Sequence, residues 1–395
     1  MAVLILPSWY KPGGGAQLGA FFREQALALK KSGVDVVVAD ATLQGRGFAF
    51  RDMFRLKRFD DEGLLTYSYI TPALGVTRLP LIGAWLSRLL YRKNLKKIYR
   101  SLKKDGVRIE VVHAHSVFPA GDAAVRLFAK RGIPTVVTEH ASSVITGRLK
   151  PDELRALQRS VSLSDAFICV SAALKNAVVK LTGTHREIAV IPNVVDARFG
   201  MGDAEKREGF VFASIGNLLP GKRFDLTLSA FCEAFANDPS VTLRIIGDGP
   251  LRDSLTAKAN ELGISDRVGF EGRLSRAQVA EALQESDALV LPSDFETFGV
   301  VYIEALACGL PVVATRNGGA DDIVTERCGK LVDVGSLPQL IQAMRFVYEH
   351  YDIYDRQLIA RECRERFGGE AVSAKLCEVY QAVLRKEGGA VAEPD

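Results

Sequence analysis

Two carboxylates, Glu296 and Glu304, stand eight residues apart in Ser293-Asp-Phe-Glu-Thr-Phe-Gly-Val-Val-Tyr-Ile-Glu304, around a glycine turn. The apolar run from Asp287 to Pro292 precedes them like a buried strand, and the residues after Gly299 keep helical spacing up to Gly309. Glu296 therefore falls at a strand's exit and Glu304 inside the next helix. The N–H groups of Gly299, Val300 and Val301, at the start of that helix, favour a diphosphate. A carboxylate accepts two hydrogen bonds at once. Glu304 thus suits a ribose diol and Glu296 the hydroxyls of a sugar, with Phe298 completing the turn between them. The alternative is a pair of solvated surface charges.

Three further groups of residues have chemical potential. Gly216-Asn-Leu-Leu-Pro-Gly-Lys-Arg-Phe-Asp225 follows an apolar run, and its Lys222 and Arg223 can hold a diphosphate as a point charge and a bidentate donor; a solvated basic turn explains it equally well. Trp9-Tyr-Lys-Pro-Gly-Gly-Gly-Ala-Gln-Leu-Gly-Ala-Phe-Phe-Arg-Glu-Gln25 is glycine-rich without the Gly-x-Gly-x-x-Gly spacing, which leaves a plain flexible turn open. Three of the five histidines, His113, His115 and His140, fall at strand ends. A lone histidine is more often structural, but carboxyl ends of adjacent strands are where ligands bind.

The elements that must position these residues alternate, strand-like runs with helix-length segments, as in parallel sheets covered by helices. In the first half the strands are expected over 3–9, 34–39, 111–115, 135–140, 166–171 and 188–192. In the second they are expected over 210–215, 242–246, 268–271, 288–291, 312–315 and 330–332. Gly33 and Gly132 close helical segments, and Ser275-Arg-Ala-Gln278 has capping-box spacing. With 395 residues and 48% hydrophobic content the chain supports two cores. The expected architecture is two doubly wound α/β domains, 1–200 and 201–369, facing across a cleft that holds the reaction. The tail from Gly388 reads as disordered.

Residues 1–205 hold 30 Lys+Arg against 18 Asp+Glu, a net of +12, and the remainder is −8. The basic half implies an anionic partner. Between Arg78 and Lys104 nine cations occur without an acid, and Ile82, Leu86, Leu89, Leu90, Leu95, Ile98 and Leu102 recur at helical spacing around Trp85. This reads either as an interfacial helix for an acidic membrane or as a pair of surface helices packed on the domain. Nucleic acid is not indicated, for no aromatic-basic motif accompanies the charge. The six cysteines show neither zinc nor disulfide spacing and read as core thiols of a reducing compartment. No window is long and apolar enough for a membrane span, and Met1 to Trp9 reads as a first strand rather than a leader. The expected location is cytoplasmic.

The Glu-x7-Glu segment, with Gly309-Leu-Pro-Val-Val-Ala-Thr-Arg-Asn-Gly-Gly319 downstream, resembles the signature of the retaining GT-B glycosyltransferases of family four, glycosyltransferase group 1. The resemblance covers nearly the whole chain. It implies a hexosyl transferase working on a nucleoside-diphosphate sugar, a UDP-sugar, and on an alcohol acceptor in bacterial glycan, polysaccharide or glycolipid synthesis. It implies the GT-B fold, with a C-terminal helix, roughly 370–388, crossing back to the first domain. Gly216 to Asp225 is similar to the family's Gly-Arg-Leu-x-x-x-Lys-Gly-x-Asp pattern, whose Arg and Lys clamp the diphosphate. Lys222 carries over; Asn217 stands where the Arg is usual, and Arg223 replaces a glycine and is the candidate substitute cation. The family's glycine loop, ending in a Gly-x-Phe-x-x-Glu-Gln-like segment, approaches diphosphate and acceptor, which singles out Gly19 and adds Gly15. His113-Ala-His115 and Thr138-Glu-His140 resemble family segments in which the second histidine of the pair lies near the transferring sugar. His115 is thus the catalytic candidate and His140 a substrate contact, while His113 points into the sheet, although strand alternation puts it on the face of His115. Gly247-Asp-Gly-Pro250 matches a structural turn. The family is thought to use front-face attack with the leaving phosphate taking the acceptor's proton, so Glu296 positions the sugar. No Asp-x-Asp ends a strand near the site, and neither a metal nor a resident cofactor is expected; Lys222 and helix dipoles would offset the leaving charge. A nucleotide-sugar epimerase of the same architecture and a catalytically silent nucleotide-sugar scaffold remain alternatives. An anionic membrane surface is a further expected contact, possible through the basic first half.

Overall fold

The structure is a computed structural model describing residues 1–10, 19–44, 54–72, 83–202 and 208–389. Gly15, Arg78, Ile82 and the last six residues of the tail lie outside the described residues. The chain divides into two compact units, one of 1–170, 174–194 and 372–395, the other of 171–173 and 195–371.

The first unit contains β1 (Ala2–Pro7), β2 (Asp35–Asp40), β3 (Leu43–Gln44), β4 (Leu56–Asp61), β5 (Leu64–Tyr69), β6 (Thr71–Pro72), β7 (Val111–His115), β8 (Thr135–Glu139), β9 (Ala166–Cys169) and β10 (Ala189–Val190). Eight of these form one sheet in the order β10-β9-β8-β7-β1-β2-β5-β4, parallel except for β4; β3 and β6 pair separately. The six expected strands are all present. The stretch from Leu43 to Pro72 adds four that were not expected. β4 and β5 form a hairpin whose turn, Glu62-Gly63, has positive φ at both residues, as a tight type I′ connection needs.

The segment expected as an interfacial helix or as a pair of helices is one helix, Gly83–Lys104. Its apolar face is occupied from Tyr91 onward, where Tyr91, Leu95, Ile98 and Leu102 are all fully buried. Tyr91 donates to the Pro7 carbonyl at 2.7 Å, and Asn94 bonds Thr71 and Ala41. This half of the helix therefore belongs to the core of the first unit, and its apolar side is not available to a membrane. The C-terminal helix Gly369–Gly389 sends Val372, Leu376, Tyr380 and Val383 into the same core, beside Val3, Val36, Val111 and Ile168. It runs past Gly388, two residues into the expected tail.

The second unit is a six-stranded parallel sheet, β13-β12-β11-β14-β15-β16, built from β11 (Phe210–Ile215), β12 (Val241–Ile246), β13 (Val268–Gly272), β14 (Ala288–Leu291), β15 (Val312–Thr315) and β16 (Gly329–Val332). All six match the expected runs to within a residue at each end. Continuous burial of β14 and β15 explains why they read as unbroken apolar sequence. The expected capping box is present: Ser275 N–H donates to Gln278 Oε1 at 3.0 Å at the start of the helix Arg276–Gln284. Both units are Rossmann-like α/β.

Candidate active site

In the second unit, β11 and β14 are adjacent, so the loops leaving their carboxyl ends meet. The Asp294 N–H donates to the Gly221 carbonyl at 2.9 Å, and a Cβ on Gly221 would press on Phe295 at 3.2 Å. This brings Lys222 Nζ onto Glu296 Oε1 as an ion pair, the glutamate being the more enclosed partner. The Glu296 loop is braced from β15. Its N–H donates to the Asn317 carbonyl at 3.1 Å, and Gly319 packs so tightly that a Cβ there would fall 2.8 Å from Glu296 Cβ and 2.6 Å from the Phe298 carbonyl. Asn317 Nδ2 donates to Tyr302 Oη at 3.0 Å, while its Oδ1 accepts from Gly319 and Ala320. Asn317 is thus a brace that sequence reasoning passed over, although it stands in the downstream signature.

Gly299 has φ 84 and caps the helix Val300–Ala307; any Cβ there would meet the Tyr302 ring. The leading N–H groups of this helix belong to Gly299, Val300 and Val301, which an α-helix leaves without intrahelical acceptors. Phe298 is buried and crosses Phe367 edge-on at 5.8 Å. It supports the turn from below.

Glu304 is 4% exposed and accepts from Arg276, which also reaches Asp196 at 3.5 Å and lies 4.7 Å over the Phe199 ring. Burial raises the Glu304 pKa, Arg276 opposes that, and Asp196 adds to it. The expected ribose-binding carboxylate is therefore held by an arginine from another helix. Neither Arg276 nor Asp196 was among the expected residues. The only available signal was the position of Arg276 directly after the Ser275 cap.

Arg223 sits at φ 54, and its guanidinium engages Asp225 at 3.2 Å and Asp294 at 3.1 Å. These two carboxylates, not an open anion site, occupy the candidate substitute cation. Asn217 is exposed after β11. Gly247 approaches Gly216, and a Cβ on Gly249 would lie 2.6 Å from the Leu218 carbonyl, so this turn is a backbone crossing that needs its glycines.

In the first unit β7 and β8 pair with His115 opposite Thr138, which places His140 just beyond that register. His115 Nδ1 lies 3.1 Å from His140 Nε2. Both rings are buried beneath Phe22, at 5.1 Å and 5.3 Å, and Phe21 adds a contact to His140 at 4.9 Å. Gly19, at φ 80, starts the helix that brings these phenylalanines in; a Cβ there would lie 3.0 Å from the Trp9 carbonyl. Burial pushes the His115 pKa down to about 3 and lowers that of His140. Each pairs one nitrogen with the other, and among the described residues His115 Nε2 and His140 Nδ1 have no partner. His113 lies with its ring centre 4.2 Å from that of His115, tilted by 35°, but is satisfied at both nitrogens, by Tyr380 at 2.6 Å and Thr138 at 2.7 Å. It is structural.

Two Rossmann-like units, one with a lysine–glutamate pair beside a glycine-capped helix, define the GT-B class. Residues 18–199 match the model of Glycosyltransferase Family 4 and residues 202–362 that of Glycosyl transferases group 1. A glycogen synthase of Mycobacterium tuberculosis is 30% identical over 304 residues, 72% of this chain and 73% of its own. The N-acetyl-alpha-D-glucosaminyl L-malate synthase of Bacillus anthracis is 28% identical over 301 residues, 71% and 76%. Among solved structures, HepE from Anabaena in complex with UDP-glucose superposes with a TM-score of 0.70 at 20% identity over 97% of this chain and all of that one. The chain belongs to the group 1, family 4 glycosyltransferases.

Proposed function

We propose that the chain is a retaining glycosyltransferase that moves a hexosyl group from a UDP-sugar to an alcohol on a bacterial glycan, polysaccharide or glycolipid acceptor. The observation that carries this reading is the Lys222–Glu296 pair, set at the mouths of adjacent parallel strands beside the helix start at Gly299. A diphosphate binding there exchanges the Glu296 contact of Lys222 for its own oxygens and takes the N–H groups of Gly299, Val300 and Val301, above the Phe298 turn. Glu296, so released, accepts from sugar hydroxyls. Glu304, held by Arg276, accepts from the ribose diol, and Asn217 and Gly19 border the nucleotide. His115 Nε2 donates to or accepts from the transferred sugar, and His140 contacts the acceptor. The acceptor oxygen attacks the anomeric carbon from the face the diphosphate leaves; the new C–O bond forms as the old one breaks, and the phosphate oxygen takes the proton. Lys222 and the helix N–H groups offset the leaving charge without a metal.

HepE's complex with UDP-glucose supports the donor class, and the L-malate in the Bacillus anthracis relative's name supports an acidic acceptor. We place the enzyme in the cytoplasm, at the inner face of the membrane, through exposed cations of its basic half.

A thermal-shift panel of UDP, GDP, ADP and TDP in chelator, on wild type and Glu304→Ala, tests the reading. Ligand at about 100 times its dissociation constant stabilises by about 2.7 kcal/mol. A shift selective for UDP and weakened in Glu304→Ala is expected; no shift with any nucleotide overturns the proposal. Product analysis with and without acceptor then separates transfer from epimerisation and from silent binding, and the anomeric configuration of the product tests retention.

A further inference from the structure

A groove of about 290 Å³ on the first unit is lined by five arginines from three helices. Arg88 and Arg92 come from Gly83–Lys104, Arg126 from Asp122–Phe128, and Arg155 and Arg159 from Pro151–Leu163. Its acids are Asp122 and Asp152, so the lining has three positive charges in excess. Asp122, 5% exposed, holds Arg126 at 3.1 Å and Arg159 at 2.6 Å, and Asp152 holds Arg88. Those ion pairs account for three arginines, Arg88 and Arg159 as staples between helices and Arg126 within its own helix. They leave Arg92 and Arg155, which have no ion pair among the described residues and yet stand in the same positive recess. Like charges gathered without counter-charges repel one another, and an anionic ligand removes that cost.

The arrangement selects the kind of anion. Every cation of the groove is an arginine, whereas the solvent side of Gly83–Lys104 carries Lys93, Lys96, Lys103 and Lys104. Arginine's planar fork matches carboxylate and phosphate oxygens in pairs, which a lysine does not. Trp85 lies one turn before Arg88 on the same stripe and is 59% exposed at the rim, an apolar ring placed for a sugar face. Arg88 and Arg159 are recessed, at 17% and 27% side-chain exposure, and Arg92 is half-buried, while Arg126 and Arg155 are exposed. Trp85, Arg88, Asp122, Arg126, Asp152 and Arg155 lie in the first two turns of their helices, and Arg92 and Arg159 in the third. In a parallel α/β unit those turns sit at the carboxyl edge of the sheet, the edge that carries His115 and His140.

We propose that this groove binds the acidic part of the acceptor, a glycan bearing carboxylate or phosphate groups. The assignment rests on the glycosyltransferase reading above. The test is calorimetric titration of the full chain with tetragalacturonate and with maltotetraose of equal length, for wild type and Arg92→Gln/Arg155→Gln, with UDP thermal shifts on both. Tetragalacturonate should bind wild type with salt-sensitive affinity and about tenfold or more weaker in the variant, maltotetraose should bind neither, and the UDP shift should be the same in both. Absence of tetragalacturonate binding, equal affinity in the variant, or equal binding of maltotetraose overturns the proposal. So does a variant that loses binding to phosphatidylglycerol vesicles while keeping its tetragalacturonate affinity, which would assign the arginines to a membrane. If no form responds to UDP while the tetragalacturonate pattern holds, the donor reading fails and the groove stands as an acidic-glycan site.

Discussion

At the scale of single residues, the two clusters of candidate site residues, one in each unit, hold their charge in opposite ways. The first buries neutral imidazoles. His113, His115 and His140 all have pKa values depressed below 6.5, first by burial, so the folded state stays neutral where the unfolded chain takes up protons. The stability they contribute is complete above about pH 6.5 and is lost progressively as pH falls below it, at up to about 1.4 kcal/mol per pH unit for each proton taken up only on unfolding. Urea midpoints should therefore drop from pH 7.5 to 5.5, and His140→Gln should drop less steeply; parallel slopes would mean that the histidines are not the source. The second cluster is a buried ion pair instead, Arg276 with Glu304. Replacing Arg276 by Ala leaves Glu304 and Asp196 without it in a closed site, which should cost about 3–5 kcal/mol in urea unfolding. A loss below about 1 kcal/mol would show that water or another cation reaches Glu304.

Elements decide which of these residues meet, and how much of that could be read beforehand. The parallel strands were legible because burial on both faces makes them continuous apolar runs, as in Ala2–Pro7 and Ala288–Leu291. Lys222 and Glu296 were each legible as site residues for the same reason, since both follow such strands; that they meet as an ion pair was not legible, because strand order is not written in the sequence. The β4–β5 hairpin was not, since Leu56–Asp61 is a charged edge strand with alternating exposure, and its one signal was the glycine of Glu62-Gly63. Arg276 on Glu304 was illegible because it joins two helices whose relative packing no local pattern specifies. The glycine turn before Glu304 could be read, and it makes a prediction at this scale. Gly299→Ala forces a side chain into φ 84 and against Tyr302, whose hydroxyl ties Leu291 to Asn317. It should destabilise by about 1–3 kcal/mol and remove the nucleotide-induced thermal shift. A variant with wild-type nucleotide response would show that the turn does not touch the diphosphate.

For the molecule as a whole, the chain enters the second unit near Val195 and returns to the first at Val372, so the first unit is finished only by the end of the sequence. Four side chains from the last helix, Val372, Leu376, Tyr380 and Val383, are at most 3% exposed in its core. Burying each contributes roughly 1.5–3 kcal/mol, so together they rival the 5–15 kcal/mol that typically stabilises a whole domain. Tyr380 adds a specific tie, because without its hydroxyl the buried His113 Nδ1 loses its partner. A chain ending at Ala371 should therefore fail to fold its first unit, although every strand of both sheets remains. Tyr380→Phe keeps the packing and removes only the hydrogen bond, so it should remain folded and lose about 1–3 kcal/mol. Hydrogen exchange resolves the two effects by region: the truncated chain should lose protection across β1, β2, β7 and β8 while β11 to β16 keep theirs. Uniform protection in the truncated chain would show that the last helix is an accessory to the first unit and not a part of its core.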